Sequence, residues 1–213
     1  MKTLSLLLCL CGLSICGDVM SEPKYFSSLN IGFGGMLMDD IHHIDTVDYN
    51  YDVKGIATGV TVGIWTTPQL LKHYRYGVEL GFFTYDDNTY SYGSPSGQLG
   101  ITDGRYTGHH FDLLSFGRYY FNDNISFLVK GGLAYVTQEL ATNGINYNGN
   151  QSKILPKVAF GIGYDFSPEW GADIIFSYVF GNKPTQFGQG GSKDDYNRVA
   201  SVNLLTIGCV YYF

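Results

Sequence analysis

The chain has 213 residues, a formal net charge of −6 and only 15% charged residues, and this balance, with no basic patch and no RNA-binding motif, excludes nucleic acid as a partner. Hydrophobic residues make up 45% and aromatic residues 16%. No run of eighteen consecutive apolar residues occurs, so no transmembrane helix is expected and the apolar content must be spread by alternation.

The first element is a leader. Lys2 precedes an apolar run, Leu4 to Cys16, interrupted only by Ser5, Gly12 and Ser14. Its length is too short for a membrane span and suits the apolar region of a secretory signal peptide. Residues 1–21 are therefore expected to be a signal peptide, cut between Cys16 and Ser21, and residues 22–213 one domain. Ile15 stands where a lipobox needs a small residue, so lipidation at Cys16 is not expected. Cys9, Cys11 and Cys16 lie in the leader, which leaves Cys209 alone in the mature chain and no intramolecular disulfide. Cys209 falls on the face of Phe213, which would point at lipid, and the reading favoured for it is a small buried apolar residue.

Eight alternating segments follow. They run about Tyr25–Met38, Gly55–Trp65, Tyr74–Tyr85, Tyr106–Phe121, Ile125–Glu139, Ile154–Phe166, Trp170–Gly181 and Arg198–Phe213. Side chains of a strand repeat every two residues, so each segment has two faces. One face is apolar: Leu29, Ile31 and Phe33 in the first segment, Val78, Leu80 and Phe82 in the third, Leu205, Ile207, Tyr211 and Phe213 in the last. The opposite faces hold Arg75, Glu79, Asp112, Arg118, Lys130, Lys157, Asp165, Asp173 and Arg198, five basic and four acidic residues. Lipid outside and a polar interior explain that division. A soluble β-sandwich also alternates. Aromatic strand ends, Gly-rich inner faces and near-balanced inner charge favour the barrel.

The connections alternate in length. Asp39–Lys54, Asp86–Arg105, Leu140–Lys153 and Asn182–Asn197 are long; Thr66–His73, Asn122–Asn124 and Ser167–Glu169 are short and carry turn residues. Short periplasmic turns and long outer loops are the pattern of an even-stranded bacterial barrel. Three positions fit strict alternation badly. Pro156 cannot donate to a ladder and should lie at a strand end or a bulge. Trp65 faces inward unless a bulge turns it to the interface. Leu114 and Phe116 are apolar on an inner face, which means either packing beside Arg118 or a register shifted by one.

The last eight residues, 206–213, place Thr206 and Gly208 before alternating aromatics ending in Tyr211 and Phe213. This ending resembles the C-terminal assembly signal of bacterial outer-membrane β-barrels. The mature chain as a whole resembles the small eight-stranded outer-membrane barrels, OmpA/OmpX-like in build, of the superfamily that includes Opa-type and porin-family proteins of Gram-negative bacteria. The resemblance implies an all-β, eight-stranded antiparallel transmembrane barrel of up-and-down topology in the bacterial outer membrane. It implies periplasmic termini, contact with outer-membrane lipid and lipopolysaccharide, and delivery by the outer-membrane assembly machinery.

No catalytic constellation emerges. Asp39, Asp40, His42, His43, Asp45, Asp48 and Asp52 crowd the first long connection, but their spacing matches no defined ion loop, and the expectation is a solvated acidic loop with no bound metal. His109, His110 and Ser115 resemble the His and Ser of barrel lipid A deacylases. His109 and His110 point to opposite faces, and His109 and Ser115, on one strand, stand about 20 Å apart, beyond hydrogen-bond reach. The glycine clusters at 32–35 and 188–191 lack the lysine of a phosphate loop. No cofactor and no enzyme activity are expected. The reading is a barrel that displays loops, whose Tyr-, Ser- and Gly-rich second connection, Asp86–Arg105, has the composition of binding loops for a host or surface ligand. A narrow channel for small solutes is the alternative, and a lipid-modifying barrel enzyme ranks third.

Overall fold

The computed structural model describes residues 21–37, 49–52, 55–69, 71–92, 102–142, 149–181 and 199–213. The leader, Arg198 and the Asp/His cluster of the first connection, apart from Asp52, lie outside these residues. Nine strands are present: β1 (Lys24–Leu37), β2 (Tyr49–Asp52), β3 (Ile56–Thr66), β4 (Tyr74–Tyr92), β5 (Thr102–Tyr120), β6 (Ile125–Thr142), β7 (Gly149–Asp165), β8 (Trp170–Val179) and β9 (Ser201–Tyr212). Eight of them form one antiparallel sheet in the order β4-β3-β1-β9-β8-β7-β6-β5, and β4–β5 pairing closes it into a barrel. Closure leaves the wall without a free edge at membrane height, so each backbone group there can meet a neighbour. Short β2 adds to the upper part of β4, pairing Tyr49 with Tyr92 and Asp52 with Thr89.

The short connections are tight because their side chains cap them. Asn122 Oδ1 accepts from the Asn124 and Ile125 amides at 2.9 and 2.7 Å. Ser167 Oγ accepts from the Trp170 amide at 3.0 Å. Such Asx- and Ser-turns replace the backbone partner that a reversing strand loses. Two of the long connections are shorter than the alternation suggests. β4 and β5 pair up to Tyr92 and Thr102, past a bulge between Tyr85 and Asn88, and β6 and β7 pair up to Leu140 and Gly149. The ladder outlasts the period-two signal because it rises beyond the apolar belt, where neither face is selected for hydrophobicity.

The wall is apolar outside. Leu29, Ile31 and Phe33 are 69%, 62% and 71% exposed, and Leu80, Leu113, Ile162 and Ile207 are comparably bare. At the turn end, rings gather: Tyr74 lies 4.8 Å from Tyr119, and Trp170 lies 4.8 Å from Tyr211, which meets Phe213 edge-on at 4.9 Å. Towards the loop end, one register row replaces apolar residues by Thr58, Thr84, His109, Thr137 and Ser152 on β3 to β7. Glu139 shares the outward register of β6 but lies two positions above Thr137. Charge thus returns to the outer face only above the belt.

Strict alternation holds at Trp65, Leu114 and Phe116. Trp65 is buried with Phe26, Val210 and Tyr212, against which Phe116 packs, and Leu114 is 2% exposed. Two expectations need correction. Cys209 is exposed, not buried; it shares the outward face of Ile207, and a barrel of this kind has no second layer to cover it. Pro156 is neither at a strand end nor at a bulge: it pairs in register with Leu133 inside β7. Its carbonyl accepts from Phe180, just past the end of β8, at 2.9 Å. N and O of one strand residue point to the same side, so the missing N–H falls where the β8 ladder has stopped.

Candidate functional site

The lumen is where the chemistry-bearing residues converge. Glu79, Asp112, Arg118, Lys130, Lys157, Asp165 and Asp173 are all buried inside the wall, and Arg75 is half-buried at its turn end. Alternation on β4 to β8 turns each of them inward, and strand pairing sets their heights. Four cations (Arg75, Arg118, Lys130, Lys157) therefore meet four anions (Glu79, Asp112, Asp165, Asp173).

They form three groups along the axis. At the turn end, Arg118 donates to Asp173 at 2.5 Å and to the Tyr212 hydroxyl at 2.9 Å. Tyr120 and Tyr212 each donate to Asp165, at 2.7 and 2.9 Å. Arg75 lies 3.4 Å from Asp165, with its guanidinium 4.3 Å from the ring centres of both Trp65 and Tyr120. A cation over an aromatic face at such a half-buried position contributes about 1 kcal/mol, comparable to a hydrogen bond. Midway, Lys130 donates to both oxygens of Glu79 at 2.8 Å. Higher still, Lys157 donates to Asp112 at 2.5 Å and to His110 Nε2 at 2.9 Å. A ring that accepts at Nε2 carries its proton on Nδ1. The His110 Nδ1 is buried with no partner among the described residues.

Apolar layers separate and seal these groups. Leu128, Ala159 and Ile175 cluster between strands. Above Lys157, whose ammonium lies 4.5 Å from the Phe83 ring, Tyr85, Val136, Leu155, Val179 and Val202 close the loop end. A cavity of about 20 Å³, room for roughly one water, remains in the turn half among Arg75, Glu79, Arg118, Lys130 and Asp173. Among the described residues these charges are paired with one another. Among the described residues, no three His, Cys, Asp or Glu side chains converge as a metal site. His109 lies on the outer face 6.0 Å from Phe82, away from His110.

Glycine makes room for the network. A Cβ at Gly163 would lie 2.5 Å from Asp173 Oδ1, 2.8 Å from Ser126 Oγ and 3.0 Å from an Arg118 nitrogen. Gly163→Val is expected to cost about 1–3 kcal/mol through overpacking. Urea unfolding in lipid vesicles measures it, and an unchanged midpoint would show that the Arg118–Asp173 pair yields freely.

The residues of the C-terminal motif divide between the two faces. Thr206 is buried and donates to the Ile175 carbonyl at 3.4 Å. Gly208 lies inside, where a Cβ would meet Asn30 Oδ1 at 2.5 Å. Tyr211 and Phe213 face out, and the Phe213 amide donates to the Tyr25 carbonyl at 2.9 Å, tying the end of the chain to β1. Sequence reasoning weighed His110 only beside His109 and Ser115, not as a partner of Lys157, and passed over Tyr120, Tyr212 and Gln138. The signal was present: His110 and Asp112 share one inner face, and Tyr212 alternates with Tyr211 and Phe213. A neutral polar residue on an inner face simply carries less weight than a charge.

No protein-family model matches the chain, and no curated protein matches it. Solved structures do. Neisserial surface protein A is 13% identical over 92% of this chain and 100% of its own, with a TM-score of 0.51. The attachment invasion locus protein Ail of Yersinia pestis is 14% identical over 89% and 99%, at 0.49. A major outer membrane protein of Thermus thermophilus is 14% identical over 91% and 100%, also at 0.49. The closed eight-stranded wall and the likeness to Neisserial surface protein A show that the chain has the fold of the small eight-stranded outer-membrane β-barrels.

Proposed function

We propose that this protein is an integral, non-enzymatic outer-membrane barrel that presents its long connections at the cell surface. The carrying observation is the wall itself: a closed ladder, bare apolar side chains outside, and paired charges inside. Exposing Leu29, Phe33, Leu80 and Ile207 to water would forfeit most of what their burial is worth, about 1.5–3 kcal/mol each; hydrocarbon removes that cost. The termini and short turns share one end of the barrel, and that end is assigned to the periplasm, the looped end to the exterior. The partners that follow are outer-membrane lipid and lipopolysaccharide around the belt, the assembly machinery during insertion, and a host or surface ligand at the loops. The sealed loop end supports a closed barrel over an always-open channel.

The test is expression of the full chain in a Gram-negative host. A heat-modifiable band in the outer-membrane fraction is expected; a soluble periplasmic product would refute the proposal. Replacing Tyr211 and Phe213 by Asp puts two charges into the turn-end aromatic girdle beside the β1–β9 seam. The folded fraction should fall severalfold, and normal yield of the folded form would remove the assembly role from this motif.

A further inference from the structure

A strand between hydrocarbon and a polar lumen has more than one alignment that suits both. A slip of one residue turns every side chain to the wrong face, but a slip of two restores the faces, because side chains repeat every two positions. β9 is open to such a slip. Its outward residues Leu205, Ile207, Cys209, Tyr211 and Phe213 are all apolar, and Leu205, Ile207 and Phe213 are half exposed or more. The lipid side therefore accepts a slip of two in either direction, and the alignment of β9 between β8 and β1 must be set from inside. Two inward positions are specific. The Tyr212 hydroxyl accepts from Arg118 on β5 at 2.9 Å and donates to Asp165 at the end of β7 at 2.9 Å. Its ring is buried and meets Trp65 edge-on at 6.4 Å. A Cβ at Gly171 would lie 2.7 Å from Asp165 Oδ1 and 3.3 Å from the Tyr212 hydroxyl, so glycine keeps that place open. Gly208 is opposed by Asn30, whose Oδ1 a Cβ would meet at 2.5 Å. A slip towards the turn end puts Thr206 in the place of Gly208 and Val210 in the place of Tyr212. A slip the other way puts Val210 in the place of Gly208 and Tyr212 in the place of Val210. Either slip takes the hydroxyl from Arg118 and Asp165 and drives a side chain into Asn30.

We propose that Tyr212 is the register-setting residue of the strand that closes the barrel: Arg118 and Asp165 grip its hydroxyl and so select one of the alignments of β9 that keep hydrocarbon and lumen apart. This rests on the outer-membrane barrel reading and deepens the assembly role proposed for the C-terminal motif. The outward Tyr211 and Phe213 cannot tell a slip of two, since each puts one aromatic in the place of the other. The inward Tyr212 can, because its hydroxyl has partners at one height only. Gly208 acts with it by excluding the misaligned residues.

The natural Cys209 reports the register. It pairs with Leu29 across the β1–β9 seam, and Ser27 and Ile31 stand two positions to either side on β1. Directly opposed residues lie about 4.5–5.5 Å apart between Cα atoms, within reach of a disulfide, and residues two positions removed lie about 7–8 Å apart, outside it. The test uses the full-length protein with its other native cysteines replaced by serine, folded in lipid vesicles and oxidised with copper phenanthroline. Cys209 should form a disulfide in the Leu29→Cys chain and not in the Ser27→Cys or Ile31→Cys chain. Adding Tyr212→Phe should raise disulfide formation in the Ser27→Cys or the Ile31→Cys chain by about tenfold or more, the weight of two hydrogen bonds to charged groups. Disulfides confined to the Leu29→Cys chain in folded Tyr212→Phe protein would overturn the proposal. Tyr120→Phe removes another hydroxyl from the same Asp165, but on β5, and should leave the register unchanged. Equal slippage there would show that any lost luminal hydroxyl loosens β9, and would overturn the specific role of Tyr212. Arg118→Lys keeps the charge beside Asp173, loses the fork that also reaches Tyr212, and repeats the test with β9 unaltered should Tyr212→Phe not fold. Only heat-modifiable protein is scored, and a wild type that yields none refutes the barrel reading rather than the role of Tyr212.

Discussion

Lys157→Met should be among the most damaging single substitutions in the barrel, costing about 3–5 kcal/mol of unfolding free energy in lipid vesicles. Lys157 is buried between Asp112 and His110, and its ammonium is the only cation in hydrogen-bond contact with either among the described residues. Removing it leaves the Asp112 carboxylate uncompensated beneath an apolar plug. The cost belongs to the stranded partner rather than to the lost attraction. The double substitution Lys157→Met, Asp112→Leu should therefore recover most of the loss, with an interaction energy of about 2–3 kcal/mol. Additive losses would mean that the two residues act separately, and that the lumen is wetter than the geometry indicates. Glu79 and Lys130 provide a second such pair, one layer towards the turn end.

Ile207→Lys attacks the opposite face. Ile207 pairs with Ile31 on β1 and Ile174 on β8, and all three are more than half exposed. In water a lysine there would be harmless and would even improve solubility. At mid-height in a bilayer it costs about 2–4 kcal/mol, falling to 0–1 near the interface. Thr84→Lys, in the polar register row at the upper limit of the belt, should accordingly be mild. Equal tolerance of both substitutions would argue for a water-facing wall.

Much of this architecture is legible in the chain because two solvents act on one strand. Hydrocarbon outside and charge inside impose a period of two, and Val78-Glu79-Leu80 or Leu113-Asp112-Phe111 can be placed by parity alone. Parity also brings Trp65, Leu114 and Phe116 inside correctly, although each is apolar on a polar face, because layers of apolar side chains are needed to separate the charged groups. Above the belt the signal fades. β2 and the upper halves of β4 to β7 pair through their backbones, and no side-chain pattern announces them. Cys209 was misjudged through a habit formed on water-soluble proteins, in which a small apolar thiol lies inside. In a barrel in lipid, inside and apolar part company.

The partners within the lumen were out of reach for another reason. Parity gives a face and an approximate height, but which anion meets which cation depends on the stagger of the closed sheet. Asp165 near the end of β7 meets Arg75 at the start of β4, ninety positions away in sequence. Gln138 on β6 likewise bonds the Ala200 backbone beside β9, with two strands between them in the wall.

The central claim is that the bare apolar wall lies in hydrocarbon. Nitroxide labels at single cysteines test it most directly, in a chain whose other cysteines are replaced by serine, folded into lipid vesicles. The natural Cys209 and substitutions at Leu29, Leu80, Leu113 and Ile207 sample the circumference. Spin relaxation should show high accessibility to dissolved oxygen and low accessibility to a water-soluble nickel complex at all five outward positions. A label at exposed Asp123, in the β5–β6 turn, should show the reverse. Free access of the nickel complex to the outward positions in the folded protein would contradict the account.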